Sequence, residues 1–254
     1  MEGEVIRDLS SPHSTNRVYL IRNQRHGDLI KKEFGSHSCF KRVVEAMKAI
    51  DRSLHPAIYK IDMRRRHIFM SYNPIKTKPE SMDACAANLM KKLHETTKRY
   101  SGVRDPGTGR VFSTWKDYLK EKGTDAVETL KKVKDYGKAF EERLATLQDS
   151  PFSPVSFIHR DIRPEHIGER RGNYILLDFD LAMVGDPYWD VAQYAFQSAE
   201  SKETFYKSYE VENTEKADSY IWLFALDFAA HLMKHYGTGN HQELEKCLDV
   251  LDEL

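Results

Sequence analysis

Short runs in which apolar and polar residues alternate occupy the amino-terminal part of the chain. A two-residue period of this kind is typical of strands that bury one face. Polar turns separate the runs, which cover residues 14–22, 28–34, 55–62 and 67–72. Between the second and third runs, residues 40–50 carry their apolar side chains at helical spacing. The pattern predicts a small antiparallel sheet with one helix, which ends at the breaker Asn73-Pro74.

The rest of the chain changes to helical spacing. Apolar residues recur at three- and four-residue intervals over residues 81–101, 114–148, 187–200 and 216–236, and a last helix is predicted to reach Leu254. The glycine-rich residues 102–109 predict a loop, and residues 237–240 predict the end of a helix. We therefore expect an α+β fold with two lobes: a small sheet-containing lobe at residues 1–74 and a larger, mainly helical lobe at residues 75–254.

Two acidic clusters each follow a short apolar run in the second half of the chain. Residues 157–161 read Phe-Ile-His-Arg-Asp, and residues 176–180 read Leu-Leu-Asp-Phe-Asp. The stretch between Asp161 and Asp178 is long enough for a strand, a turn at residues 170–173 and a second strand. Such a hairpin would bring two carboxylates side by side, one to accept a proton and one to hold a metal ion on a phosphate.

Three motifs follow one another in this region. Residues 159–166 read HRDIRPEH, residues 178–180 read DFD and residues 185–192 read GDPYWDVA. In this order they resemble the catalytic loop H-[RG]-D-x-x-x-x-N, the metal-binding D-F-G or I-D-x-E, and the G-D-P-x-x-D-[LV]-A of the aminoglycoside phosphotransferase and choline kinase family. The histidine that ends the first motif also resembles the catalytic loop of lipopolysaccharide core kinases. The resemblance implies a bilobal protein-kinase-like fold and phosphoryl transfer.

The resemblance assigns expected roles in the catalytic loop. Asp161 would be the catalytic base, Arg163 would contact the γ-phosphate, and Asp178 would bridge Mg²⁺ to the β- and γ-phosphates. His166 stands where the family has Asn, and an imidazole nitrogen binds Mg²⁺ poorly but Mn²⁺ better. Whether His166 supports a second metal ion is left open. Asp190, at the start of a helix with an apolar face, is expected to brace the loop by hydrogen bonds.

A phosphate-binding lysine is also implied by the resemblance, on the strand at residues 28–34. Strand periodicity puts Lys32 on the face that Phe34 continues, which favours Lys32, although Lys31 remains possible. Glu45 lies beside the apolar stripe of the following helix, where a glutamate reaching the lysine would sit.

The remaining expected nucleotide contacts lie in a turn and a hinge. The turn Ser14-Thr15-Asn16 resembles the S-x-N-x-[VT]-Y of the phosphotransferase family, whose backbone N–H groups would face phosphates. The backbones of Ser71 and Asn73, in the expected hinge between the lobes, would pair with an adenine edge.

The distribution of charge along the sequence indicates which kind of acceptor to expect. The formal net charge is zero, but residues 1–150 sum to about +10 and residues 151–254 to about −10. A basic first half suits a polyphosphate, and the acidic second half suits a cationic small molecule; its acidic residues include Glu200, Glu203, Asp218 and Asp227. The arginines at residues 64–66 have no aromatic residues interleaved with them, so nucleic acid is not an expected partner.

The cellular setting follows from cysteine usage and hydropathy. Three widely spaced cysteines predict neither a disulfide framework nor a zinc cluster. No apolar run approaches the length of a membrane span, and the first residues lack the pattern of a signal peptide. We expect a cytoplasmic protein, monomeric or homodimeric.

The sequence thus predicts an ATP- or GTP-dependent O-phosphotransferase that uses Mg²⁺ or Mn²⁺ and acts on a small hydroxylated molecule, such as an aminoglycoside or amino alcohol. Alternatives are a lipopolysaccharide or sugar kinase, an atypical protein kinase and a nucleotide-binding pseudokinase. Asp190 follows Asp178 by twelve positions, an interval too short for the peptide-binding segment of a protein kinase.

Overall fold

The structure, a computed structural model, describes residues 3–11, 14–95, 102–147, 155–237 and 241–253. Its first part has the strands β1 (Glu4–Asp8), β2 (Arg17–Asn23), β3 (Gly27–Glu33), β4 (Ile58–Asp62) and β5 (His67–Ser71). They form one antiparallel sheet in the order β1-β2-β3-β5-β4. Four of these strands were predicted from the sequence. The fifth, β1, was missed because all its residues are exposed and no apolar face marks it.

Helix α1 (His37–Ala49) covers one face of this sheet. It begins at the N-cap Ser36, whose hydroxyl accepts a hydrogen bond from the Cys39 N–H. Its buried side chains pack with Phe34 and the inner face of β5 in a compact apolar cluster. Lys32 lies on the same face of β3 as Phe34, and only 6% of it is exposed. The lysine is therefore directed into the protein.

Residues 102–109, predicted as a flexible loop, instead belong to a short hairpin of β6 (Val103–Arg104) and β7 (Val111–Phe112). Asp105 stabilises its turn by accepting hydrogen bonds from the Gly107 N–H and the Thr108 hydroxyl. It also binds the Arg42 guanidinium of α1 through Nε and Nη2, at 3.0–3.1 Å. The prediction of a loop is therefore confirmed for the turn at residues 105–109, and only Val103 and Arg104 are strand residues that it missed. The contact with Arg42, far away in the chain, could not be predicted from the sequence.

Helices dominate the second part of the molecule. They are α2 (Met82–Glu95), α3 (Trp115–Leu130), α4 (Gly137–Thr146), α5 (Tyr188–Gln197), α6 (Lys202–Tyr209), α7 (Thr214–Tyr236) and α8 (His241–Glu253). Helix α6 was missed, and the predicted helical or helix-ending residues 96–101, 148, 238–240 and 254 lie outside the described residues. Helix α7 packs against α3, α4, α5 and α8 and forms the centre of the main core. No helix in the described ranges is long and apolar enough to span a membrane.

The region with the three motifs folds into short strands at the junction of the two parts. Strand β8 (Ser156–Ile158) pairs with β11 (Met183–Gly185), and β9 (Ile167–Arg170) forms the predicted hairpin with β10 (Asn173–Leu176). Arg171 and Gly172 make its tight turn, with φ of 53° and 79°.

Gly168 in β9 touches the segment that leaves the small sheet. A Cβ at this position would lie 2.5 Å from the Asn73 carbonyl oxygen, closer than side chains tolerate. Two hydrogen bonds join the same segments: the Glu169 N–H donates to the Asn73 carbonyl at 3.2 Å, and Asn73 Nδ2 donates to the Glu169 carbonyl at 3.1 Å. Glycine therefore allows the β9–β10 hairpin to sit against the connection between the lobes.

Candidate active site

The backbone of the loop at residues 159–166 is held by one buried carboxylate. Asp190 is fully buried and accepts hydrogen bonds from the His159 N–H at 2.8 Å and the Arg160 N–H at 2.7 Å. His94 Nε2 lies 3.0 Å from the same carboxylate. Burial opposes its charge, yet the hydrogen bond from His94 and the positive surroundings lower the pKa of Asp190. The expectation that Asp190 braces the loop is confirmed.

His159 connects the loop to the end of β10. Its Nε2 lies 2.7 Å from the Leu177 carbonyl, and its Nδ1 accepts from the Asp161 N–H at 3.2 Å. This arrangement requires the proton on Nε2, and burial lowers the pKa of His159, so the ring is neutral. Arg160, between the two residues, adopts a φ of 65°, a conformation that costs a non-glycine residue roughly 1–3 kcal/mol. The Asp190 hydrogen bonds hold it there.

The side chain of Asp161 lies at the wall of a cavity of about 980 Å³ in the larger lobe. Arg163 Nη2 donates to its Oδ2 at 3.0 Å, and Gln193 Nε2 lies 3.4 Å from its Oδ1. About a quarter of the Asp161 side chain (24%) is exposed. A hydroxyl group in this cavity could therefore reach the carboxylate. Arg163 contacts the predicted base itself in this structure.

Asp178, Asp180 and Lys32 form a cluster of charges beside the loop. Lys32 Nζ lies 2.7 Å from Asp178 Oδ1 and 2.6 Å from Asp180 Oδ1. Burial opposes the ammonium charge, but the two carboxylates raise the pKa of Lys32 above its ordinary value. Burial likewise opposes charge on Asp178, and Lys32 lowers the pKa of that carboxyl. The pKa of Asp180 shifts in the opposite direction. Burial and the neighbouring charge of Asp178 raise it to about 6.

The structure brings Lys32, not Lys31, to this cluster. Lys31 points to the other face of β3, where it makes an ion pair with Glu33. Strand periodicity had favoured Lys32 for this reason.

Glu45 does not reach Lys32, so that part of the prediction was wrong. It makes an exposed ion pair with Lys48 one turn along α1, at 3.1 Å. Two other α1 residues contact the cluster: Arg42 Nη1 donates to the Asp180 carbonyl at 2.8 Å, and Cys39 Sγ lies 3.9 Å from the same oxygen. Helical spacing indicates which face of α1 is buried, but not which charged residue at its edge turns inward.

Asn16 also contacts the cluster, although through its side chain. Its Nδ2 donates to Asp180 Oδ2 at 2.6 Å, and its Oδ1 accepts from the Gly35 N–H at 3.3 Å. The turn at residues 14–16 is thereby held at the end of the β1–β2 loop that faces the cluster.

His166 and Asp178 present two acceptor atoms to each other. Nδ1 of His166 lies 2.6 Å from the Asp161 carbonyl, to which it donates, so Nε2 carries a lone pair in the neutral ring. This Nε2 lies 3.9 Å from Asp178 Oδ2. Two ligands that are each about 2.1 Å from one octahedral ion lie about 3.0 Å apart when adjacent and about 4.2 Å apart when opposite. A small rotation of either side chain would therefore bring both atoms to a single divalent cation. Within the described residues no group of three or more His, Cys, Asp or Glu side chains is arranged to hold a metal. The protein would thus supply few ligands and leave the rest to phosphate and water.

Two of the backbone groups predicted to pair with adenine at the hinge already have hydrogen-bond partners within the protein. The Ser71 N–H donates to the Ala57 carbonyl at 2.9 Å, and the Asn73 carbonyl accepts from Glu169. The Ser71 hydroxyl donates to the side chain of Asn73 at 2.5 Å. An adenine or guanine ring could therefore pair with only some of the Ser71 and Asn73 backbone groups that the sequence analysis proposed.

Several residues at the site were not predicted. They are Arg42, His94, Asp105 and Gln193, whereas Asp227 was anticipated as one of the acidic residues suited to a cationic acceptor. All lie outside the three motifs. The only signal in the sequence for any of them is their placement on amphipathic helices or in the glycine-rich turn, which does not reveal their partners.

Comparisons with known proteins agree with the fold. A sequence model of the phosphotransferase enzyme family matches residues 69–220. The fold is similar to choline kinase LicA from Streptococcus pneumoniae, with 19% identity, a TM-score of 0.68 and coverage of 99% of this chain and 95% of that chain. It is also similar to a thermostable mutant of aminoglycoside phosphotransferase APH(4)-Ia, with 17% identity, a TM-score of 0.72 and coverage of 97% and 94%.

A third similar structure is a putative fructosamine-3-kinase from Haemophilus somnus 129PT, with 14% identity, a TM-score of 0.67 and coverage of 96% of this chain and 90% of that chain. No curated protein sequence matches the chain. At these identities the likeness establishes the fold, and the prediction of a bilobal protein-kinase-like α+β fold is confirmed.

Proposed function

Since the chain belongs to the phosphotransferase enzyme family, and is thus a small-molecule kinase, we propose that it transfers the γ-phosphoryl group of ATP or GTP to a hydroxyl of its acceptor. The main support is the placement of Asp161 at a cavity wall, close to the cluster of Lys32, Asp178 and Asp180. A proton acceptor, a phosphate-binding cation and carboxylates for a metal ion are thus adjacent. These are the parts that phosphoryl transfer requires.

In the proposed reaction Asp161 orients the acceptor hydroxyl and takes its proton. The hydroxyl oxygen forms a bond to the γ-phosphorus while the bond from that phosphorus to the β–γ bridging oxygen breaks, and the nucleoside diphosphate leaves. Arg163, now 3.0 Å from Asp161, is long enough to contact the γ-phosphate when a nucleotide is bound. Orientation of the reacting groups can account for about 7–11 kcal/mol of the barrier.

Asp178 and His166 would hold the divalent cation, since their facing acceptor atoms fit one ion. When bound, the cation would neutralise charge on the β- and γ-phosphates. Lys32 would release Asp180 and bind phosphate oxygens, because a buried ammonium keeps an anionic partner in either state.

Residues 1–74 are proposed to bind the nucleotide and residues 75–254 the acceptor. With the Ser71 N–H and the Asn73 carbonyl occupied, the Ser71 carbonyl and the Asn73 N–H would pair with the base. Asn16 would keep the β1–β2 loop above the phosphates. One similar structure is described as a ternary complex of aminoglycoside phosphotransferase with AMP-PNP and hygromycin B, which is consistent with this division of roles.

A cationic group on the acceptor remains part of the proposal. Asp227 and Glu243 line the cavity that contains Asp161. Two of the similar structures are a choline kinase and an aminoglycoside phosphotransferase, and both choline and aminoglycosides carry such a group. A peptide acceptor is disfavoured, because α5 begins at Tyr188 and only a short segment separates it from Asp178.

The function is tested by purifying the protein and measuring nucleoside diphosphate release from ATP and GTP, with Mg²⁺ or Mn²⁺, alone and with panels of aminoglycosides, amino alcohols, sugars and nucleosides. Transfer of labelled γ-phosphate to one acceptor class is the expected result. Nucleotide binding without any hydrolysis or transfer would instead identify a pseudokinase.

Replacing Lys32 by methionine is expected to lower kcat/KM for the nucleotide about tenfold to a hundredfold, because a charge-assisted contact of roughly 1.5–3 kcal/mol is lost. Lys31→Met is the matched control, since Lys31 lies on the opposite face of the same strand and pairs with Glu33. Steady-state kinetics with varied ATP would measure both. Equal losses in the two variants would contradict the assignment of Lys32.

Replacing His166 by asparagine is expected to lower the ratio of turnover with Mn²⁺ to turnover with Mg²⁺ about tenfold, since an amide oxygen suits Mg²⁺ and imidazole suits Mn²⁺. Metal titrations of nucleotide hydrolysis, with Mn²⁺ binding followed by electron paramagnetic resonance, would measure it. An unchanged ratio and unchanged Mn²⁺ binding would show that His166 is not a ligand.

A further inference from the structure

The guanidinium of Arg160 lines the cavity that holds Asp161 and has no hydrogen-bond or ion-pair partner among the residues that the structure describes. We propose that it binds an anionic group, a carboxylate or phosphate, on the acceptor. The acceptor would then be a small hydroxylated zwitterion. This inference rests on the proposed function and narrows its substrate class.

Two aromatic rings fix the position of this guanidinium. Its Cζ lies 5.6 Å from the ring centroid of Tyr118 and 5.6 Å from that of Trp189, and both rings are almost fully buried. Contacts with ring faces stabilise the cation by about 0.5–2 kcal/mol, but they leave the in-plane N–H groups without acceptors. The rings therefore orient Arg160 without using its donors.

Buried donors without acceptors are costly, and Arg160 has one. Its Nε is buried and has no partner in the described part of the chain. A planar fork of five N–H donors matches the two oxygens of a carboxylate or the oxygens of a phosphate. Because Nε itself is buried, an anion entering the cavity would meet the terminal NH₂ groups of the guanidinium. Arg160 and Asp161 line the same cavity, so one acceptor can contact both with its anionic group and its hydroxyl.

The same cavity also contains hydrogen-bond acceptors that have no donor among the described residues. Gln193 is only 2% exposed, and its Oε1 has no donor among the described residues, although its Nε2 contacts Asp161. Asp227, on α7, is partly buried at the cavity wall and makes no hydrogen bond or ion pair within those ranges. An ammonium group on the acceptor would supply donors to both.

The total charge of the cavity wall favours a zwitterion over a polycation. Its lining has four carboxylates, and four Lys or Arg side chains balance them; one exposed histidine, His231, lies among them. A site for a multiply charged cation would need an excess of carboxylates. A ligand with one group of each sign can pair with Arg160 and Asp227 without leaving a charge uncompensated.

Binding and transfer to five matched acceptors would test the inference. Serine and homoserine carry both charges, ethanolamine lacks the anion, glycolate lacks the cation, and glycerol lacks both. O-phosphoethanolamine, which has no free hydroxyl, serves as a binding probe with phosphate in place of carboxylate. Calorimetry in the presence of AMP-PNP and Mg²⁺ measures affinity independently of turnover. We expect the zwitterions to bind and react at least about tenfold better than the singly charged compounds.

Arg160→Gln supplies the second part of the test. It is expected to raise KM for the preferred zwitterion about tenfold to a hundredfold, more than it raises KM for ethanolamine and more than it lowers kcat. Lys138→Gln, which removes a 90% exposed cation far from the cavity, should change neither. Melting temperatures show whether the variants are folded. If Arg160→Gln is unstable, the order of acceptor affinities and rates measured with the wild-type protein still tests the inference.

The possible outcomes separate the two proposals. If ethanolamine outranks the zwitterions in wild type, or if Arg160→Gln lowers the rate with every acceptor equally, Arg160 has only a packing role and the inference fails. Preference for the phosphate probe over the amino acids would identify the anion as a phosphate. If no compound is phosphorylated and no nucleotide is hydrolysed, the proposed function itself fails.

Discussion

Asp161→Asn is expected to lower kcat about a hundredfold to ten-thousandfold, the usual contribution of a positioned general base. The amide keeps the size of the side chain and can still accept from Arg163, but it cannot take the proton of the acceptor hydroxyl. Because Asp161 lies at the acceptor cavity and not in the cluster of Lys32 and Asp178, the Kd for nucleotide should stay within about twofold.

Single-turnover transfer of labelled γ-phosphate would measure the chemical step, and calorimetry with AMP-PNP would measure nucleotide affinity. A variant that loses nucleotide binding and turnover to the same extent would contradict the role of Asp161 as base. Unchanged hydrolysis in the variant would show that the wild-type rate does not come from this site.

Asp190→Asn is expected to lower the free energy of unfolding by about 2–3 kcal/mol and to reduce turnover as well. The carboxylate accepts from the His159 and Arg160 N–H groups and contacts His94 Nε2. An amide has one oxygen instead of two, so at least one buried donor loses its acceptor, at a cost of roughly 1–3 kcal/mol, and its NH₂ group faces other donors. Chemical denaturation measures the change.

Asp28→Asn is a suitable control, since it breaks an exposed ion pair with Arg22 and should cost less than about 1 kcal/mol. The pH dependence gives a second test. Since the pKa of Asp190 is lowered in the folded protein, its stabilisation is fully present above the unfolded pKa of about 3.9 and is lost as the pH falls through the folded pKa. The difference between wild type and variant should therefore shrink below about pH 4. A constant difference down to pH 2 would indicate that the charge of Asp190 is not responsible.

Much of the fold and part of the site could be predicted because the relevant order is local. The β9–β10 hairpin follows from two short apolar runs and a turn that contains Gly172. His166 ends the catalytic loop just before this hairpin, and its two ring nitrogens lie 3.5 Å from Asp161 Oδ2 and 3.9 Å from Asp178 Oδ2. The two-residue period of β3 likewise directed Lys32 inward. In each case neighbouring residues determine the geometry.

The features of the site that could not be predicted depend on contacts between distant parts of the chain. Arg42 meets Asp105 and the Asp180 carbonyl only after the small sheet and the large lobe are assembled. Periodicity placed Glu45 at the edge of the buried face of α1, but Lys32 is satisfied by two aspartates instead. The sequence identifies Arg160 only as the second residue of the HRD motif. Its lack of a hydrogen-bond partner among the described residues follows from the folded structure, in which Tyr118 and Trp189 surround the guanidinium.

The contact at Gly168 has an evolutionary consequence. Any side chain there would push the Asn73 carbonyl away and with it the covalent connection between the lobes. Gly168 does not line the cavity that contains Asp161, yet a larger residue there requires the segment that leaves the small sheet to shift against the β9–β10 hairpin. We therefore expect changes of substrate among descendants of this chain to arise at the walls of the cavity, where the size and charge of residues can vary while the contact at Gly168 is retained.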